Sequence, residues 1–504
     1  MKDRPWVEHY DKGVPATIEY PQAPLFHFLD DSARKYPDRA CTIFKGAVVT
    51  YKEMNDITDH LAAALVDMGV KKGDRVGIFM PNSPQFVMAY YAILKAGGVV
   101  VATNPLYTAP EIEHQASDAG IEVMFVMTNF YKTIKAAQPK TKIKKLIVTN
   151  LKEALPPLLR LLFTLAKEKK GGFRIEGGLA EGEVWMQDLI AKYAGAKRPA
   201  LEIGPDDTAL FQYSGGTTGV SKGAVAMHRN VVANTLQIKL WMTGLEPGKE
   251  VVLMAIPLFH VYGMVAGMNF AMSNGASMAM VPNARDLKDV LENITKYKAT
   301  IFPGVPALYN GINNHPDVKA GKYNLSTIKA CISGSAPLLR ETKEQFEKLT
   351  GGKVFEGYGL SEAPTATHCN PLNGVNKTVS GLLKLMYPDA ESEVSNEDLE
   401  WAVRLALECR RRVKEQQKRI GAAEFRNTHF SYTMGAEGVE KFVAVPELHS
   451  EDQIDADPLP PGQVWGISPG STESGPSLYR IEVTVGPGSG VKVLNHPVPP
   501  AFRE

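Results

Sequence analysis

From Asp74 to Asn104 the chain reads DRVGIFMPNSPQFVMAYYAILKAGGVVVATN. Two short apolar runs, DRVGIFM and GVVVATN, flank the periodic stretch SPQFVMAYYAILKAG, which is the order strand, helix, strand. Working outward, YKEMNDITDHLAAALVDMGV before it is helical in period, and VMFVM and KKLIVTN after it are strand-like. This alternation predicts an α/β fold with parallel strands. Near 196–206 the string AKRPALEIGPDD has two prolines, charge and no period, and reads as a linker. The alternation then resumes. VVLMAIPLF, SMAMV, TIFPGVP and KACISGSA are strand-like, whereas DLKDVLENITKYK and LLRETKEQFEKLTG are helix-like. After about Ser380 the character changes to one long charged helix, SNEDLEWAVRLALECRRRVKEQQKRIG. Ser395 and Asp398 form its capping signal and Gly421 its stop. Beyond it HFSYT, KFVAV, LYRIEVTV and VKVLN are short strand signals between Pro- and Gly-rich turns. The expected organisation is two α/β subdomains, 1–200 and 201–380, followed by a smaller α+β module at 381–504.

Composition narrows the function. The 504 residues are 44% hydrophobic and 22% charged, as in ordinary soluble proteins. Lys+Arg 56 against Asp+Glu 55 leaves a formal +1, so no basic field argues for a nucleic-acid partner. The four cysteines, Cys41, Cys331, Cys369 and Cys409, show neither disulfide-framework nor zinc spacing, which suits a reducing cytoplasm. The opening MKDRPWVEHYDKGVP lacks the apolar segment of an export signal. No Asp, Glu, Lys or Arg occurs from Val251 to Ala284, but Pro257, His260, Gly263, Gly267 and Asn269 interrupt the run. It is expected to be buried core and not a membrane span.

The sharpest chemical signal is Tyr213-Ser214-Gly215-Gly216-Thr217-Thr218-Gly219-Val220-Ser221-Lys222-Gly223. Glycines let the backbone approach an anion closely, Ser214, Thr217 and Thr218 can donate to phosphate oxygens, and Lys222 supplies charge. It is not a Walker A loop, because glycine follows Lys222 where that motif places a Ser or Thr for magnesium. A flexible surface loop is the bland alternative, and the density of phosphate-binding residue types weighs against it. Two further strings follow strand-like segments: Gly334-Ser335-Ala336-Pro337 and Glu356-Gly357-Tyr358-Gly359-Leu360-Ser361-Glu362. Both read as small-residue turns after a strand, where ligands bind in open α/β sheets. Tyr358 could stack on a base, Ser361 could bond a phosphate oxygen, and Glu362 is a hard oxygen ligand for Mg²⁺. Ordinary turns and a surface glutamate remain the alternative.

In this order the strings resemble the adenylate-forming, AMP-binding superfamily, over about residues 5–380. Within it the likeness is to bacterial long-chain fatty acyl-CoA ligases, carried also by LKAGGVVVATNPLYTAPEIEHQ, PLFHVYGM and FPGVPALY. The resemblance implies an enzyme that joins a fatty acid to ATP as an acyl-adenylate and then to coenzyme A. It implies that Tyr213, Ser214, Gly215, Gly216, Thr217, Thr218, Gly219 and Lys222 embrace the phosphates. Gly334, Ser335 and Ala336 would line the adenine pocket, with Gly357, Tyr358, Gly359 and Ser361 beside it and Glu362 on magnesium. Composition alone makes His260 a core histidine. The match to the family's PLFH segment instead assigns it to substrate positioning, so Lys222, His260 and Glu362 are the expected catalytic set.

Acyl selectivity is less legible. Met254, Met264, Met268, Met272, Met278 and Met280 could form an adaptable alkyl tunnel or simply pack the core. The stretch Leu155–Gly172 is amphipathic and ends in Lys167, Lys169 and Lys170. It reads equally as a bilayer contact or as a packed surface helix. The family's T-G-D segment, its hinge Arg and its catalytic-lysine segment do not occur in residues 381–504. From Gly381 onward the chain instead resembles part of the Lon-related protein of BREX phage-exclusion systems. The carriers are Arg410-Arg411-Arg412, His429-Phe430-Ser431-Tyr432 and Leu478-Tyr479-Arg480, and they imply a fusion near Ser380. A non-catalytic ATP- or acyl-binding protein, and an interaction protein of a phage-exclusion system, are the rival readings.

Overall fold

The computed structural model describes residues 5–214 and 221–374, and the strands at 430–435, 438–444, 463–468, 477–484 and 490–496. Strands β1 (Ala40–Phe44), β2 (Ala47–Thr50), β3 (Arg75–Phe79), β4 (Val99–Ala102), β5 (Val123–Met127), β6 (Lys145–Thr149) and β7 (Glu183–Trp185) come first. They are followed by β8 (Thr208–Ser214), β9 (Lys222–Met227), β10 (Val251–Met254), β11 (Ser277–Met280), β12 (Ala330–Ser333), β13 (Lys353–Leu360) and β14 (Thr365–Cys369). One sheet has the order β7-β6-β5-β3-β4-β8-β9, parallel except for the β8–β9 hairpin. A second has the order β10-β11-β1-β2, and parallel bridges through Ile301 continue it from Val252 to Ala330 of β12.

Strands from both sides of residue 200 share both sheets. Thr42 of β1 pairs with Met278 of β11, and Val100 of β4 pairs with Leu210 of β8. The expected linker near 196–206 is therefore a crossover feeding β8 into a sheet that β3 and β4 began.

The βαβ unit at the start explains how the layers meet. Helix Pro84–Lys95 begins where Ser83 Oγ accepts from Phe86 N, and proline occupies its first turn. Every residue of this helix is buried. It has no solvated face because the main core, holding Val76, Ile78 and Val100 of one sheet with Cys41, Phe44 and Met278 of the other, surrounds it. Its last residue, Lys95, is neutralised by Asp59 at 2.7 Å and bonded to Asn55 Oδ1 and Thr58 Oγ1 at 2.8 Å each. Burial still lowers the Lys95 pKa, with Asp59 and Asp30 opposing the shift.

The uncharged run packs as core. Met254, Met264, Met268, Met272, Met278 and Met280 all lie in the main core, and Gly267 makes room for the Met254 thioether. Among the described residues no helix is long and apolar enough to cross a membrane.

The chain separates into two compact units, Met1–Asn376 and Lys377–Glu504. In the second, Phe430–Gly435 and Gly438–Ala444 form an antiparallel hairpin, while Gln463–Ser468, Ser477–Thr484 and Gly490–His496 form an antiparallel meander. All four expected tail strands appear, together with Gln463–Ser468, which carries no strong apolar signal. The expected charged helix at 395–421 lies outside the described residues.

Candidate active site

Three strands end at the candidate site with their carboxyl ends, the end of a parallel sheet where ligands gather. β8 delivers Ser214, β10 delivers the segment Ala255–His260, and β12 delivers Gly334. The phosphate loop is the tip of the β8–β9 hairpin, with Tyr213 opposite Gly223 and Ser214 opposite Lys222. Gly215, Gly216, Thr217, Thr218 and Gly219 lie outside the described residues. The neck is firmly tied: Ser221 Oγ donates to the Ser214 carbonyl at 2.6 Å, and His114 Nε2 donates to the Ser221 carbonyl at 2.9 Å.

Tyr213 plays a different part from the expected one. It is buried, donates its hydroxyl to Asp118 Oδ2 at 2.5 Å, and lays its ring on Gly223, where a Cβ would come within 3.0 Å. Burial first, then Asp118, pushes its phenol pKa up. Tyr213 is thus the hairpin's anchor, and Lys222 on the facing strand is exposed, with no ion-pair partner among the described residues.

The segment after β10 is the hub. Asn82 clamps it from the other sheet: its Nδ2 donates to the carbonyls of Met254 (3.0 Å) and Ile256 (2.8 Å), and its Oδ1 accepts from Leu258 N at 2.8 Å. Gln212 Nε2 donates to the Phe259 carbonyl at 3.3 Å, joining the hub to β8. His260 Nδ1 accepts from Tyr262 N at 3.2 Å, so its proton sits on Nε2. The ring reaches solvent, yet the protein around it lowers its pKa by desolvation. His260 therefore offers a neutral N–H donor, which suits positioning. Beyond it, Tyr262–Asn269 is π-helical, a form concentrated at functional sites.

Tyr262 fastens the hub to β12. Its buried hydroxyl donates toward the carbonyls of Ile332 (2.6 Å) and Gly304 (2.9 Å), and Gly334 N donates to Gly304 O at 3.2 Å. Gly334 lies against the Tyr262 ring, where a Cβ would sit 3.2 Å away. The chain then turns outward: Ser335 has φ +70° and, with Ala336, is exposed. A positive φ on a serine is a strained backbone held by its surroundings.

The third string departs from expectation. Residues 356–362 are not a turn after a strand, because β13 runs on to Leu360 and pairs antiparallel with β14. The small residues serve that pairing: a Cβ on Gly359 would lie 1.4 Å from the Thr365 carbonyl oxygen. The turn follows the strand and carries half-buried Ser361 and exposed Glu362. Tyr358 is exposed on β13, its ring 6.1 Å from that of His368.

Two bonds hold this hairpin at the hub. Thr365 Oγ1 donates to the Val261 carbonyl at 2.6 Å. Asn234, on helix His228–Trp241, accepts from Ala366 N at 3.0 Å and donates to Ala366 O at 2.6 Å, standing in for a neighbouring strand. All the predicted strings thus converge on 257–262, apart from the loop tip that lies outside the described residues. Sequence reasoning missed the residues that hold them there: Asn82, Gln212, Tyr262, Asn234 and Thr365. Tyr262 stood within the PLFHVYGM string, whereas Asn234 and Ala366 are 132 positions apart and left no local signal.

The donor set fits a nucleotide with magnesium and does not fit a resident metal. Among the described residues no three His, Cys, Asp or Glu side chains cluster to hold an ion. A lone exposed carboxylate such as Glu362 suits Mg²⁺, which keeps waters and shares its remaining positions with substrate phosphates.

Residues 29–401 match the AMP-binding enzyme family. A long-chain-fatty-acid–CoA ligase of Bacillus subtilis is 37% identical over 401 residues, covering 79% of this chain and 70% of that protein. A solved long-chain-fatty-acid–CoA ligase from Archaeoglobus fulgidus superposes with a TM-score of 0.60 at 24% identity, covering 72% of this chain and 69% of that one. An anthranilate CoA ligase solved with anthranoyl-AMP gives 0.61 at 22% identity, covering 71% of this chain and 65% of its own. The chain thus spans about two thirds of these solved structures, whose likeness bears on the fold alone. Fold, strand-end site and the matched span agree: this chain belongs to the AMP-binding enzyme family.

Proposed function

We propose that the chain is a long-chain fatty acid–CoA ligase of the AMP-forming type, acting through an acyl-adenylate. The observation that carries this reading is the convergence of the Ser214–Lys222 hairpin neck, His260, Gly334 and the Tyr358–Glu362 hairpin on one hub at the strand ends. In the first step a fatty carboxylate oxygen attacks the α-phosphorus of ATP in line; the new P–O bond forms as the bond to pyrophosphate breaks. In the second, the coenzyme A sulfur attacks the acyl carbonyl and AMP leaves. The 213–223 loop, with Lys222, would hold the β- and γ-phosphates, and Gly334, Ser335, Ala336 and Tyr358 the adenine. Magnesium on Glu362 would neutralise charge gathering on the phosphates. His260, neutral and donating from Nε2, would orient the reacting oxygen. No general base is required, since the carboxylate is already ionised.

The T-G-D segment, hinge Arg and catalytic lysine that family likeness calls for do not occur in 381–504, which we read as an unrelated BREX-like module. Losing one preorganised donor costs about a hundred- to a thousandfold in rate. Adenylation by the 504-residue chain is therefore expected to be slow, and thioester formation slower. The same absence favours the second reading, a protein that binds ATP and acyl chains without turnover. Incubating the purified chain with Mg-ATP and palmitate, then adding coenzyme A, and resolving products by mass spectrometry tests both. Adenylate with little thioester is the expected result. Rapid acyl-CoA formation would overturn the account of the missing groups, and no product with ATP still bound would select the second reading.

A further inference from the structure

Helix Pro157–Ala166 is built the wrong way round for a packed surface helix. None of its residues is buried. At about 100° per residue, Leu158, Leu161, Leu162 and Leu165 fall in one arc of roughly 100°, the width of a core-facing stripe. Here that stripe faces outward, with relative exposures of 69%, 56%, 51% and 76%. The opposite side is the one that is attached. Arg160 pairs with Glu153, the Phe163 ring meets that of Phe173 at 5.1 Å, and Leu155 just before the helix packs on the main core. The leucine face is therefore held out by contacts on its other side.

The charges around it are sorted. Glu168, the one carboxylate between 157 and 172, is turned inward and buried, bonded to Lys152 at 2.6 Å and to Asn150 at 3.0 Å. Lys167, Lys169 and Lys170 on either side of it are exposed, with no ion pair among the described residues. An apolar face bordered by unpaired cations, with its acid neutralised internally, is complementary to an anionic lipid surface. A soluble acidic partner would match the lysines but not four adjacent exposed leucines. A second copy of the chain would bring like charges together. The helix is about 15 Å long against a hydrocarbon core of about 30 Å, so it can lie in the interface but not span it.

We propose that Pro157–Lys170 is a membrane-docking element that seats the first unit on an anionic bilayer, leucines at the acyl boundary and lysines at the headgroups. Docking there would bring the site's entrance to the phase into which long-chain acids partition, but binding to lipid requires no turnover and stands apart from the ligase reading.

The test is co-sedimentation of the full chain with phosphatidylglycerol/phosphatidylethanolamine vesicles and with phosphatidylcholine vesicles. The unmodified chain is expected to sediment with the anionic vesicles, less with the neutral ones, and to be released by salt. The double variant Leu161→Asp/Leu165→Asp is expected to partition about tenfold more weakly or worse, with an unchanged melting temperature because both positions are exposed. A second variant, Lys167→Glu/Lys169→Glu/Lys170→Glu, is expected to abolish the preference for anionic lipid. Failure of the unmodified chain to sediment, or undiminished binding by the leucine variant, would overturn the proposal. So would self-association that the leucine variant abolishes in the absence of lipid binding, which would assign the face to a second copy.

Discussion

Replacing Asn234 by alanine should loosen the hairpin that carries Tyr358, Ser361 and Glu362 without disturbing the core. The side-chain amide makes two short bonds to one residue, accepting from Ala366 N and donating to Ala366 O. Ala366 sits opposite Gly359, but it is Asn234 that takes up its N–H and C=O, as a further strand would. Alanine removes both bonds at once. Each intramolecular hydrogen bond contributes about 0.5–1.5 kcal/mol net, so the pair is worth roughly 1–3 kcal/mol. Some of that returns if water reaches the vacated edge. Because the loss is local, its readout is amide exchange at Ala366 and its β14 neighbours, which should accelerate about 5- to 150-fold. Amides of β3 and β5 should not respond. Apparent Mg-ATP affinity should fall in parallel, since the hairpin turn carries Glu362. Unchanged exchange at Ala366, or acceleration spread evenly through both sheets, would refute the reasoning. In the first case the hairpin would be held by Thr365 alone, and in the second Asn234 would be a general stability residue.

Two further outcomes are expected. Lys222→Ala should abolish the rise in melting temperature that Mg-ATP produces, while leaving the ligand-free melting temperature close to that of the parent, because Lys222 is exposed and pairs with nothing among the described residues. His228 should make the first unit acid-sensitive: it is buried, its Nδ1 accepts from Leu25 N at 2.9 Å, and desolvation lowers its pKa from 6.5 to about 4. Between those values the unfolded chain binds the proton and the folded chain does not, so stability is full above pH 6.5 and falls as pH drops toward 4. The loss amounts to about 3 kcal/mol at most, measurable as a shift in urea midpoint across that range and diminished in His228→Asn.

The alternation that predicted an α/β fold was legible because parallel strands buried on both faces read as unbroken apolar runs, as in VMFVM, all five residues of which are buried. How the strands are shared between sheets was not legible. Pairing of Thr42 with Met278 leaves no trace in either neighbourhood, so a linker composition near residue 200 read as a boundary where the strands interleave. At the site, residue types announced chemistry but not placement. Tyr213 stands in a phosphate-binding string yet faces Asp118, because alternation along β8 turns it toward the core. Gly357 and Gly359 read as turn formers, whereas their lack of side chains admits a close antiparallel partner. The methionines were ambiguous for a physical reason: a thioether packs equally well around an alkyl ligand or around its own core, and here all six are core. The exposed leucines of Pro157–Ala166 follow an ordinary helical period, and only the direction in which that stripe faces separates a packed helix from a docking one.

The sharing of sheets across residue 200 also sets a timetable for synthesis. β1 emerges from the ribosome 236 residues before its parallel neighbour, as the Thr42–Met278 pairing shows. At about 5–20 residues per second, that is a wait of roughly 10–50 s. During it β1 has only its own hairpin mate, and the all-buried helix Pro84–Lys95 lacks one of the two sheets that enclose it. The nascent chain therefore presents an apolar surface to the cell for tens of seconds before the second sheet can close over it, a period in which chaperone occupancy, rather than intrinsic stability, governs yield.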